Sequence, residues 1–160
     1  MALSKTVKNN RPDKGARKRN RVLFCLFLFC IFPQILAGQD NKRPPFKGIF
    51  ENFENRAVIH LDLYNATLTA PGLDFLGKLN GYMNGRGIYG IWLLTDYKIE
   101  GKVATLRFSN DTGADSQTIL FTQENDSIFQ YKAINGNSIK RASGKKLVKI
   151  ASEMTFKKAQ

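Results

Sequence analysis

One pair of side chains in this 160-residue chain could do acid–base chemistry: His60 and Asp62, two apart in the run AVIHLDLY. In a strand, residues i and i+2 share a face, so an imidazole and a carboxylate could meet there as the orienting half of a triad. The nucleophilic half is missing from the pattern, since no serine sits in a strand–turn–helix elbow of the GxSxG kind. His60 is also the only histidine, so no zinc site built from several histidines can form. The expected role of His60 is therefore a rim or surface histidine.

Two further stretches invite a chemical reading. SNDTGADS groups the oxygens of Ser109, Asn110, Asp111, Thr112, Asp115 and Ser116 around Gly113. It lacks the regular alternation and closing glutamate of a twelve-residue calcium loop, and is expected to be an Asx-rich hairpin turn that satisfies its own backbone. GYMNGRGIYGIW contains Gly85, Gly87 and Gly90. A phosphate cradle needs such glycines between a strand and a helix N-terminus, whereas IYGIWLLT reads as a strand, so a tight turn or bulge followed by Trp92 as a core anchor is expected. Asp62, Asp74, Asp96 and Glu100 could in principle supply a glycosidase carboxylate pair, but nothing in their spacing brings them together. With no nucleophile, metal set or cofactor loop, the chain reads as non-catalytic and cofactor-free.

In the same region Gly90-Ile91-Trp92 and Thr95-Asp96-Tyr97 resemble two short lipocalin signatures. A lipocalin opens its first strand with the one and carries the other far downstream, whereas here both lie together in mid-chain. The resemblance assigns no family.

The stronger signal is charge. Lys140, Arg141, Lys145, Lys146, Lys149, Lys157 and Lys158 face only Glu153 between residues 140 and 158, while residues 39–139 are close to neutral. These seven form a candidate basic docking face for an acidic protein, an anionic glycan or lipid phosphates. The competing explanation is that they guard an edge hairpin against sheet-to-sheet aggregation.

The elements that must hold these residues follow from period-two patterning. Ala57, Ile59, Leu61 and Leu63 alternate with Val58, His60, Asp62 and Tyr64, and Ala104, Leu106 and Phe108 with Val103, Thr105 and Arg107. QTILFTQ, SIFQYKAI, KKLVKI and EMTFKK repeat the theme, separated by EGK, NDTGADS, ENDS, INGNS and ASGKK. Asn135-Gly136 suits a type I′ hairpin turn. PGLDFLGKL is the one candidate helix, with an extended form equally compatible. The expectation is an all-β domain over residues 46–160: an antiparallel meander of eight or nine strands closing into a small barrel, or else a sandwich.

Upstream, Val22 to Leu36 is apolar for 15 residues and would reach only about 22 Å as a helix, too short to cross a bilayer core of about 30 Å comfortably. Lys14, Arg17, Lys18, Arg19 and Arg21 precede it and Ala37 and Gly38 follow it, the pattern of a secretory signal peptide over residues 1–38, with an uncleaved anchor as the alternative. Its loss would remove both cysteines, Cys25 and Cys30, and most of the +12 net charge, leaving a disulfide-free, secreted or periplasmic domain behind a flexible polar, proline-rich arm at 39–45. Nucleic acid is not expected as a partner, and membrane contact only through an uncleaved leader. Two functions fit: a binding domain for a macromolecule, such as an inhibitor of a secreted hydrolase, or a calycin-like carrier holding a small apolar ligand among interior aromatics. The candidates are Trp92, Phe108, Phe121 and Phe129, with Phe75, Tyr82 and Tyr89 also considered.

Overall fold

The computed structural model describes residues 44–86 and 88–160. The expected leader, both cysteines, Gly87 and the first part of the arm lie outside the described residues. Ten strands follow in order: β1 (Lys47–Asn52), β2 (Ala57–Asp62), β3 (Gly81–Asn84), β4 (Trp92–Glu100), β5 (Val103–Asn110), β6 (Ser116–Gln123), β7 (Ile128–Gly136), β8 (Lys140–Ser143), β9 (Lys146–Lys149) and β10 (Glu153–Lys158). Strands β1 to β7 run round the wall as neighbours, and β10 sits between β7 and β1 to close an eight-stranded antiparallel barrel. β8 and β9 form a separate two-stranded ribbon. The barrel form is thus the observed alternative, and closure leaves the wall without an edge.

Alternation decides which side chains face inward. Ala57, Ile59 and Leu61 are buried while Val58 and His60 are half-buried, and Ala104, Leu106 and Phe108 are buried while Arg107 is exposed. Apolar inside and polar outside is the reverse of a barrel that faces lipid. An eight-stranded barrel is just wide enough for side chains to fill it. Here Phe121 stacks on Phe129 at 5.2 Å, and Phe50 meets Phe129 and Phe121 edge-on at 4.7 and 5.2 Å. Tyr131 is buried and donates its hydroxyl to Gln117 Oε1, and burial holds that phenol well above its ordinary pKa, so it stays a donor.

Several local expectations change. Asn135-Gly136 is not a hairpin turn: both residues continue β7 opposite Thr118 and Gln117, beyond a bulge at Ile134. Glycine is required at 136 because a Cβ there would lie 2.2 Å from the Ser116 carbonyl oxygen. The strand expected from IYGIWLLT begins only at Trp92, leaving residues 85–91 as a rim loop. PGLDFLGKL is neither a helix nor a strand: it is an irregular loop with one short 3-10 turn at Asp74–Leu76, and Leu79 at its end bridges to Leu68.

Because the strands alternate in direction, their connections divide between two ends. β1–β2, β3–β4, β5–β6 and the excursion from β7 to β10 emerge at one end. The arm, the long β2–β3 loop, the β4–β5 and β6–β7 turns and the end of β10 share the other. We call these the strap end and the arm end.

Candidate functional site

The interior is packed with apolar side chains. Trp92, Phe108, Phe121 and Phe129 are buried as expected, but their neighbours are one another and the rest of the apolar core. Of the wider aromatic set, Phe75 is 81% exposed and Tyr89 62% exposed, while Tyr82 lies on the outer wall, stacked on His60 at 4.4 Å. Phe75 and Tyr89 are corrected to surface residues, and Tyr82 to a buried residue on the outer face of the wall. Their alternation was hidden because Phe75 and Tyr89 lie in loops, where period two carries no information.

The two members of the acid–base pair have different partners. Asp62, only 1% exposed, accepts from the backbone N–H groups of Tyr64 and Asn65, from the Thr67 hydroxyl, and from Lys47 Nζ at 2.8 Å. Burial pushes its carboxyl up, but Lys47, Thr67 and the two backbone donors outweigh this and hold it below the usual range. Asp62 therefore fixes the turn that leaves β2. His60 pairs in register with Tyr82 instead, and burial favours its neutral form over the opposing effects of Asn84 and Glu51. Of the other carboxylates considered, Glu100 pairs with Lys98 at 2.7 Å, on a different strand from Asp62. The oxygens of 109–116 turn mostly to backbone: Asn110 Oδ1 accepts from Asp115 N–H, Ser109 donates to the Asp115 carbonyl, and Asp111 accepts from Ile91 N–H, while the Asp115 carboxylate accepts from the Asn137 side-chain amide.

The basic face divides. Lys140, Arg141, Lys145, Lys146 and Lys149 sit on or between β8 and β9, at the strap end, whereas Lys157 and Lys158 lie at the far end of β10. Five residues of strand, about 16 Å, separate the start of β10 from Lys158. Lys158 is engaged there: its ammonium donates to the carbonyls of Pro44 and Pro45 at 3.1 and 2.9 Å and stands 5.5 Å above the Phe50 ring. The end of the expected flexible arm is thereby pinned to the barrel. Sequence proximity had merged two places that the intervening strand separates.

At the strap end the five remaining cations ride on a ribbon that crosses the barrel mouth. Ile139 and Ile150, joined by a 3.0 Å backbone bond, are buried in the core beneath it. On the opposite rim, with two wall strands intervening on either side, Tyr89 N–H donates to the Lys140 carbonyl at 2.9 Å and Ile88 bridges to Arg141. The ribbon beyond these anchors is largely exposed, and Lys140 lies directly opposite Lys149. Like charges opposed across a strand pair are destabilising. Among the described residues, none of the five ribbon cations makes an ion pair.

The anchoring loop leads to residues that the sequence did not single out. Arg86 belongs to the β3–β4 loop, and Gly85 before it packs so closely on the β1–β2 turn that a Cβ would lie 2.0 Å from the Arg56 carbonyl oxygen. Arg56 itself has φ +50°, a conformation that costs a non-glycine residue about 1 kcal/mol. Its turn is braced by Asn52, which accepts from Asn55 N–H at 2.7 Å and donates to the Thr155 carbonyl at 2.8 Å. The result is a cleft of about 410 Å³ lined by Glu51, Phe53, Arg56, Val58 and Arg86, with Phe53 73% exposed on its rim. The only sequence hint was an aromatic inside the asparagine-rich turn NFEN; the approach of Arg86 to Arg56 is purely tertiary. No protein-family model, curated protein or solved structure matches the chain.

Proposed function

We propose that the protein is an exported, non-catalytic binding domain that recognises an anionic macromolecule through the strap end of its barrel. The observation that carries this reading is the ribbon: five cations and no acidic residue between 137 and 152, with two lysines opposed across the strands and none of the five ion-paired among the described residues. An arrangement that costs stability in isolation is relieved when an anion lies against it. The commitment of Asp62 to a turn and of His60 to a stack on Tyr82 supports a binding rather than a catalytic role. The aromatic packing of the interior gives the carrier alternative no support. Inhibition of a secreted hydrolase remains one use to which such a surface could be put.

The test is binding of the purified protein to immobilised polyanions, with heparin and polyglutamate as probes, at low and high salt. Affinity should fall steeply with salt and drop by more than about tenfold on Lys140→Glu with Lys149→Glu, through reversed charge at two contacts. Salt-independent binding, or binding indifferent to these substitutions, would refute the proposal.

A further inference from the structure

We infer that the cleft between Phe53, Arg56 and Arg86 is a carboxylate-binding subsite that grips a uronate unit of an acidic polysaccharide. This rests on the strap end being the binding end, and it names the partner. Neither guanidinium has an ion pair among the described residues, and both are exposed on the cleft. Arginine presents a planar fork of N–H donors that matches a carboxylate in two parallel hydrogen bonds. The cleft volume of about 410 Å³ falls within the range of about 300–1,000 Å³ typical of small-molecule sites.

Three features select a carboxylated sugar over other anions. Phe53 stands at the rim with its ring free, a flat apolar platform for the C–H face of a pyranose, and Val58 adds apolar wall below. Glu51 also lines the cleft, so a doubly charged phosphate is repelled more than a singly charged carboxylate, while its oxygens can accept from sugar hydroxyls. The cations then continue: Ile88, two residues after Arg86, bridges to Arg141, beside Lys140 and its partner Lys149. A polymer carrying one carboxylate per repeat can follow that track.

A bilayer fits the ribbon less well. The ribbon turns through Ser143, Gly144 and Lys145, a polar tip. Its exposed aliphatic residues, Leu147 and Val148, are consecutive in a strand and so point to opposite faces, unable to enter lipid together.

Calorimetric titration of the purified protein with a hexagalacturonate tests the subsite, with its methyl ester, dextran sulfate, polyglutamate and phosphatidylglycerol vesicles as the other probes. The free acid should bind and the ester should not. Arg56→Lys and Arg86→Lys keep the charge but lose the fork, and each should weaken binding about tenfold, as should Phe53→Ala. All three side chains are exposed, so an unchanged thermal midpoint verifies that the variants fold. Lys140→Gln with Lys149→Gln should flatten the salt dependence yet preserve preference for acid over ester. If dextran sulfate, polyglutamate or vesicles bind as tightly as the oligouronate and the Arg→Lys variants are neutral, the subsite is refuted while a general anion-binding role stands. If none of the polyanions binds, both readings fall.

Discussion

The two ends of the barrel close by different physics. At the arm end polar groups do much of the work: Asp62 is held by Lys47, Thr67 and two backbone N–H groups, and Lys158 clasps the carbonyls of Pro44 and Pro45. These three charges are spent on the fold. The strap end is sealed by Ile88, Ile139 and Ile150, and the cations above that seal have no ion pair among the described residues. A charge whose partner lies within the fold reads as architecture. Opposed like charges such as Lys140 and Lys149 cost the fold stability, and the recognition role proposed above would offset that cost.

Ile139→Ala should have the largest effect, about 2–5 kcal/mol in urea denaturation, by emptying a fully buried position beneath the ribbon. Amide exchange in β8, β9 and residues 88–91 should quicken at the same time. Persisting protection there would mean that the hydrogen bond to Tyr89, rather than the apolar plug, holds the strap.

Asp62→Ala should cost about 3 kcal/mol at neutral pH, the low end of the range for breaking a buried ion pair because Lys47 is half exposed. Since the folded carboxyl lies below its ordinary 3.8, the stability it adds is present above that value and is lost as the pH falls through the folded one. The parent should therefore weaken steeply below about pH 4 and the variant should not. His60 contributes a shallower decline below its ordinary 6.5, because the folded state favours the neutral imidazole and the unfolded chain takes the proton first. An unchanged acid transition in the variant would show that the arm end does not depend on this carboxylate.

Lys149→Gln is the smallest change and has the opposite sign. Removing one of two opposed lysines should stabilise by a few tenths of a kcal/mol, read as a rise in the denaturation midpoint, while weakening polyanion binding. A loss of stability comparable to Asp62→Ala would erase the distinction between the ends.

Much of the wall is legible in the sequence, since period-two runs such as VATLRF carry their own inside–outside code. Trp92, Phe108, Phe121 and Phe129 fell into the core for that reason. Loops carry no such code, and there the reading went astray: Asn135-Gly136 has the composition of a turn, yet Gly136 is needed for close approach to Ser116 within a continuing strand. Of the candidate site, the five ribbon cations were visible as a charge run. Lys157 and Lys158 were joined to them by sequence proximity, which says nothing about the length of strand in between.

The sequence by itself determined an all-β domain of alternating strands with an apolar interior and a basic C-terminal segment, because alternation and charge are local properties of the chain. Only the tertiary structure decided that the ribbon would cross the mouth, that Lys158 would be used up at the opposite end, and that Arg86 would come beside Arg56. Those outcomes depend on barrel closure, which sets segments distant in sequence on facing rims, and on the close contact that Gly85 permits.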